Sequence, residues 1–168
     1  MEKTAYQKCL DKIYKLGRFG IKLELGTIEN ILKLLNYSHK NYHIVHVAGT
    51  NGKGSTASYI ASILRKAGFK TGIYTSPHLI KFNERIVVDG EQITDDEVVD
   101  AYRAVEAVDF GKRKATFFEI ATAMGFYHFS RAHVEWAVIE TGMGGRFDAT
   151  NIVHPQVSVI TNLSIEHT

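Results

Sequence analysis

The sequence predicts an α/β domain built on a mostly parallel sheet with helices on both faces. Three observations carry that reading. Short apolar runs alternate with segments of helical periodicity, the order that builds strand–helix–strand units. The runs are apolar at nearly every position, as expected of strands covered on two sides. Four of them end in polar loops, GTNGKGS, TSPH, ETGMGG and TNLSIEH. Loops of that kind gather at the C-terminal strand ends, where such sheets bind ligands.

The elements follow in order. Residues 4–16 place Tyr6, Leu10, Ile13 and Leu16 at helical spacing. GRFGIKLELG, 17–26, is a glycine-punctuated loop. Thr27 is read as the cap of a second helix, with Glu29 in its first turn and Ile28, Ile31, Leu32 and Leu35 on one face. Residues 43–48 form a buried strand, 55–67 a helix closed by Gly68, and 71–75 a second strand. Residues 77–84 are a loop. Segments 85–88 and 91–93 flank Asp89-Gly90, a two-residue hairpin signal. Thr94 caps a helix running to about residue 108, and GKRK is a basic, solvated turn. Residues 116–130 form a long, largely apolar helix. Strand 136–140, WAVIE, ends in a carboxylate. A glycine-rich loop leads to a last strand, 157–161.

Composition narrows the function classes. The chain's 168 residues are enough for one domain with a real core. A net charge of +2 is too small to argue for nucleic acid or an acidic membrane, and neither is expected as a partner. No apolar run approaches the ~20 residues needed to cross a bilayer. The N-terminus lacks the apolar core of a signal peptide, and the lone Cys9 fits a reducing compartment. The expected location is the cytoplasm.

Residues 49–56 have the parts of a phosphate loop. Gly49, Gly52 and Gly54 let backbone N–H groups curl around an anion, Lys53 supplies charge, and a helix is expected to start near Ser55. The strict pattern G-x-x-x-x-G-K-[ST] is broken. Val47 stands where its first glycine belongs, and Gly54 pushes the hydroxyl back to Ser55. Glu140, at the end of a buried strand beside such a loop, suits a magnesium ion or a water-positioning role. Ser76 offers a hard oxygen but reads equally as a turn-capping serine before Pro77. His167 and His78, taken alone, read as surface histidines.

In this order, AGTNGKGS, TSPHLIKFNERI, TFFEIATA, ETGMGGRFDATN and TNLSIEHT resemble the N-terminal half of the folylpolyglutamate synthase and dihydrofolate synthase family, within the Mur ligase superfamily. The glycine after Lys53 fits that folate branch. Mur ligases of the cell wall typically place Thr or Ser there. The resemblance implies a P-loop NTPase-like sheet of the Mur ligase central-domain type. It implies ATP phosphates held by Gly49, Thr50, Asn51, Gly52, Lys53, Gly54 and Ser55, and Mg2+ held by Ser76, Glu140 and His167. Lys53, Glu140 and His167 become the catalytic set. Glu24, Leu25, Gly26, Thr116, Phe117, Phe118, Glu119, Phe147, Asp148 and Ala149 match segments that touch the pterin substrate. Phe117 and Phe118 also read as plain core aromatics. Residues 77–85 resemble a mobile loop beside the folate site.

The implied activity is ATP-dependent ligation of L-glutamate to dihydropteroate or a folyl glutamate through an acyl phosphate. The small-molecule partners are those acids and L-glutamate. The resemblance also implies that residues 1–168 are an incomplete N-terminal ATP-binding domain, lacking a C-terminal glutamate ligase domain. Such a piece is expected to bind nucleotide weakly and not to ligate on its own. The whole protein is expected to be monomeric, and the piece to self-associate through an unpaired strand edge. A P-loop NTPase of another class would account for Lys53 and Glu140 but not for TSPHLIKFNERI or GGRFDATN. An interaction domain keeping a nucleotide loop for stability is the third reading.

Overall fold

The computed structural model describes residues 2–16, 24–110 and 113–164. Helices α1 (Ala5–Leu16) and α2 (Gly26–Leu34) precede β1 (His43–Ala48), α3 (Lys53–Lys66) and β2 (Thr71–Tyr74). A hairpin of β3 (Ile86–Val88) and β4 (Glu91–Gln92) leads to α4 (Asp95–Glu106), α5 (Phe117–Arg131), β5 (Trp136–Glu140) and β6 (Val157–Ile160). The strands form one sheet in the order β4-β3-β2-β5-β1-β6. β2, β5, β1 and β6 are parallel, while β3 and β4 are antiparallel. Asp89 and Gly90 both take left-handed backbone, with φ of 51° and 90°, as a two-residue hairpin turn requires.

Strand order places the ligand crevice. From β1 the chain passes through α3 to β2, stepping over β5. From β5 it goes to β6, stepping over β1 in the other direction. The connections therefore diverge between β1 and β5, and sheets of this kind bind ligands at the C-terminal ends of such strands. Residues 49–54 and Glu140 lie at those two ends.

Alternation along the strands divides the core. Ile44, Ala137, Ile139 and Tyr74 face α1, α2, α4 and α5, among fully buried Ile13, Ile28, Phe126 and Phe129. Each such side chain contributes about 1.5–3 kcal/mol of burial. Val45, Val47 and Val138 face α3 through Ala57, Ile60 and Leu64. Helices thus cover both faces, though one face carries α3 alone. The expectation of strands covered on two sides fails at β6, an outer strand with Val157 and Ile160 exposed.

Two helix starts differ from expectation. Thr27 does not cap α2. The cap position is Leu25, already in helical backbone with no side-chain hydrogen bond, and Thr27 is buried inside the first turn. α3 starts at Lys53 rather than Ser55, because Gly52 makes the turn itself in left-handed backbone, φ 78°. The loop after β2 also closes in a short 3-10 helix, Phe82–Arg85. Thr94 and Thr116 both form capping boxes, with Glu97 and Glu119 respectively. Such caps contribute roughly 1 kcal/mol each.

One buried group sets a pH response. His39 lies in a 3-10 turn, Ser38–Lys40, packed against Phe126, and its Nδ1 has no hydrogen-bond partner. Burial, with Lys40 and His154 adding to it, pushes its pKa from 6.5 down to about 4. Burial lowers His46 and His128 in the same direction. The unfolded chain therefore takes up protons before the folded one does. Stability is expected to be full above about pH 6.5 and to fall as pH drops towards about 4. His39→Gln should flatten that decline in thermal melts; an unchanged slope would contradict the assignment.

Candidate active site

β1 delivers the chain into the glycine loop, and each glycine there answers a specific constraint. Gly49 has φ 134°, and a Cβ on it would lie 2.9 Å from Asn162 O and closer still to Thr161 Oγ1. Gly49→Ala is therefore expected to displace the 161–164 segment and lower the melting temperature. A melt equal to wild type would show that the segment gives way freely. The first hydrogen bond within α3 runs from Thr56 N to Gly52 O, at 2.9 Å. No side chain caps the helix. The leading N–H groups of a helix have no intrahelical acceptor, so Lys53, Gly54 and Ser55 present open donors at its positive end. That is an anion cradle.

Lys53 folds back over the loop. Its Nζ donates to Gly49 O at 3.0 Å and Thr50 O at 3.1 Å. The segment after β6 braces the other side. Asn162 accepts from Thr50 N and Asn51 N, both at 2.9 Å, and Thr161 Oγ1 donates to Asn51 O at 2.7 Å. Ser164 N donates to Thr50 Oγ1 at 3.0 Å. His167 follows three residues later and lies outside the described residues.

Glu140 is 5% exposed, at the end of β5. Its Oε2 accepts the Ser76 N–H at 3.0 Å. Burial raises its pKa, against the Ser76 N–H and the positive charges of Lys53 and Arg85. A Cβ on Gly54 would already touch the Glu140 carboxylate, at 3.5 Å. The inserted glycine thus keeps the space between cradle and carboxylate clear. Four loops converge here: 49–55, Ser76, 140–142 and 161–164. Their donor set, a buried carboxylate beside a serine, consists of the hard oxygens Mg2+ takes, an ion that fills its remaining positions with phosphate and water. Among the described residues no group of three or more His, Cys, Asp or Glu could hold a metal.

The segments assigned to substrate lie alongside. Thr116 and Glu119 are occupied locally, since their side chains close the capping box of α5. Glu119 also pairs with Arg113 at 2.8 Å, and Arg113 reaches Glu24 as well. Arg113 thereby ties the start of α2, where Leu25 and Gly26 stand, to the start of α5. Phe118 covers Gly142, where a Cβ would come within 2.8 Å of its ring. Phe117 stacks on Tyr14 at 5.8 Å, and the Arg85 guanidinium lies 5.1 Å from its ring. Asp148 is buried and accepts from Met143 N at 2.8 Å and Thr150 N at 2.9 Å, while Phe147 is half-exposed and Ala149 buried.

Two arginines lie against these segments although no motif or spacing singles them out. Arg113 belongs to GKRK, the turn expected to be solvated, yet its side chain is only 21% exposed and is ion-paired with Glu24 and Glu119. Arg85 is 5% exposed, donates to His78 Nδ1 at 2.7 Å, and pairs with no carboxylate among the described residues. Its position at the end of an apolar-flanked loop carried no signal. The loop between Ser76 and Arg85 is held by Glu84, which accepts the N–H groups of Leu79, Ile80 and Lys81 at 2.7–2.9 Å. Leu79 and Ile80 project from it, almost fully exposed.

Comparison with known proteins gives a consistent result. The family model of the Mur ligase middle domain matches residues 47–168. The dihydrofolate synthase/folylpolyglutamate synthase of Bacillus subtilis is 44% identical over 98% of this chain and 40% of its own length. Escherichia coli FolC, solved with DHPP and ADP, superposes with a TM-score of 0.89 at 32% identity, covering 99% of this chain and 41% of that one. A Yersinia pestis folylpolyglutamate synthase/dihydrofolate synthase, solved with AMPPNP and Mn ion, gives 0.90 at 33%, covering 100% and 42%. The chain thus spans about two fifths of the length of these relatives. No helix among its described residues is long and apolar enough to cross a membrane.

Proposed function

Because the chain belongs to the Mur ligase middle-domain family, we propose that it is the nucleotide-binding part of an ATP-dependent ligase that adds L-glutamate to dihydropteroate or a folyl glutamate. The observation that carries the reading is one juxtaposition. The open donors at the start of α3 stand across Gly54 from a buried carboxylate, at the point where the strand connections diverge. The similar structures solved with DHPP and ADP, and with AMPPNP and Mn ion, support it.

Within this proposal each residue has a physical task. Gly49 to Ser55 receive the nucleotide phosphates through backbone N–H groups, and Lys53 turns its charge to the outer phosphates. Ser76 and Glu140, with His167, would hold Mg2+; when bound, that ion would offset charge on the transferring phosphoryl group. Leu25, Phe118 and Phe147 to Ala149 would border the pterin acid, with Glu24, Thr116 and Glu119 fixing the backbone around it. The acid's carboxylate oxygen attacks the γ-phosphorus and ADP leaves. The glutamate amine then attacks the acyl carbon, phosphate leaves, and an amide remains. No side-chain nucleophile is required, so positioning and charge neutralisation supply the catalysis. A second domain beyond these 168 residues would complete the glutamate site, consistent with the share of the relatives the chain covers.

ADP release by the whole protein tests the reading. Dihydropteroate or tetrahydrofolate together with L-glutamate should stimulate release, and either alone should not. Equal turnover without a pterin acid would favour another class of NTPase.

A further inference from the structure

A histidine at the centre of a buried parallel strand needs an explanation, because its polar ring costs desolvation that an apolar residue would avoid. His46 is that residue on β1, 8% exposed. Its Nε2 lies 2.8 Å from Thr150 Oγ1. Thr150, wholly buried, has one hydroxyl proton, and that proton goes to Asp148 Oδ1 at 2.5 Å. Thr150 Oγ1 must then accept from His46, so the imidazole N–H is at Nε2. Burial lowers the pKa of His46 against the opposing charge of Asp148. The chain of bonds ends on the far side of the carboxylate, where Asp148 Oδ2 accepts the Met143 N–H at 2.8 Å. Asp148 thus bridges the glycine turn at 143 and the 3-10 helix Ala149–Ile152, and His46 holds the bridge from the sheet.

We infer that His46 is a positioning residue: through Thr150 it orients the Asp148 carboxylate and sets the shape of the 142–150 loop that receives the pterin acid. The assignment of that loop to the pterin acid rests on the proposed function; the relay itself rests on geometry alone. The two oxygens of Asp148 together offer about four acceptor directions. Three are used, by Thr150 N, Thr150 Oγ1 and Met143 N. One is left for a donor on the substrate, such as the amino-pyrimidine edge of a pterin. β1 also runs on into the phosphate loop three residues later, so one strand fixes both the phosphate cradle and the substrate loop.

The test uses the whole protein and four variants: His46→Leu, His46→Gln, Thr150→Val, and His46→Leu with Thr150→Val. Gln can place an N–H near the position of Nε2, whereas Leu cannot. His46→Leu and Thr150→Val should each weaken dihydropteroate binding by about 10-fold, and the double variant should be no weaker than either single, as expected of residues acting in one chain. His46→Gln should stay within about 2-fold of wild type on the same reasoning, and ADP affinity should hold in all four. Amide exchange gives a second readout: Met143 N–H should be protected in wild type and His46→Gln and lose protection in the others. The inference is overturned if Gln behaves as Leu does, if the single losses add, if ADP binding falls in step, or if Met143 protection never changes. Should wild type bind ADP but no pterin acid, the proposed function fails, and Met143 exchange alone decides the relay.

Discussion

Lys53→Ala is expected to weaken nucleotide binding by about 100-fold while leaving the protein folded. Two charge-assisted contacts to phosphate oxygens, at roughly 1.5 kcal/mol each, would account for a change of that size. The structure shows why loop and lysine act together. Lys53 Nζ already joins the carbonyls of Gly49 and Thr50, so the side chain both closes the loop and waits at its mouth. Lys53→Arg should recover only part of the affinity, since a planar fork does not fit between those two carbonyls. Titration calorimetry with ADP, beside thermal melts of both variants, measures this. Wild-type affinity in Lys53→Ala would remove the phosphate cradle from the account.

Glu140→Gln should separate activity from stability. The buried carboxylate is uncomfortable on its own, as its raised pKa shows. Gln can still accept the Ser76 N–H that Glu140 Oε2 accepts at 3.0 Å. A carboxyl whose pKa is raised on folding costs stability at neutral pH, and Gln removes that cost. The melting temperature should therefore hold or rise. Turnover of the whole protein should nevertheless fall by about 1,000-fold, since Glu140 is proposed to be one of the residues that would hold Mg2+. Retained turnover would show that Glu140 is no metal ligand. A collapse in melting temperature would mark it as structural.

The parts legible in the sequence were those governed by local pattern. β1 and β5 match their apolar runs end to end, and Asp89-Gly90 makes its hairpin with the two positive φ angles that such a turn needs. The four loops at the strand ends meet as far as they are described. Thr27 shows where local pattern misleads: a threonine followed by Ile28 and Glu29 looks like a cap, but burial against the core took it into the helix. α3 starts two residues before the expected Ser55 because Gly52 alone absorbs the turn, leaving Lys53 and Gly54 helical. Thr116-Phe-Phe-Glu119 carried a readable capping-box signal, and the structure gives both polar side chains that job. Arg113, Arg85 and the relay from His46 to Asp148 join residues far apart in the chain. Such pairings depend on which strands become neighbours, and no spacing rule within one sequence reports that.

The most direct test of the account follows an oxygen atom. The whole protein is given ATP, Mg2+, L-glutamate and dihydropteroate whose carboxylate carries heavy oxygen. The expected result is a pterin product extended by one glutamate, with one heavy oxygen transferred to the released phosphate for each amide formed. Phosphate without heavy oxygen, or ADP formed with no glutamylated pterin, would contradict it.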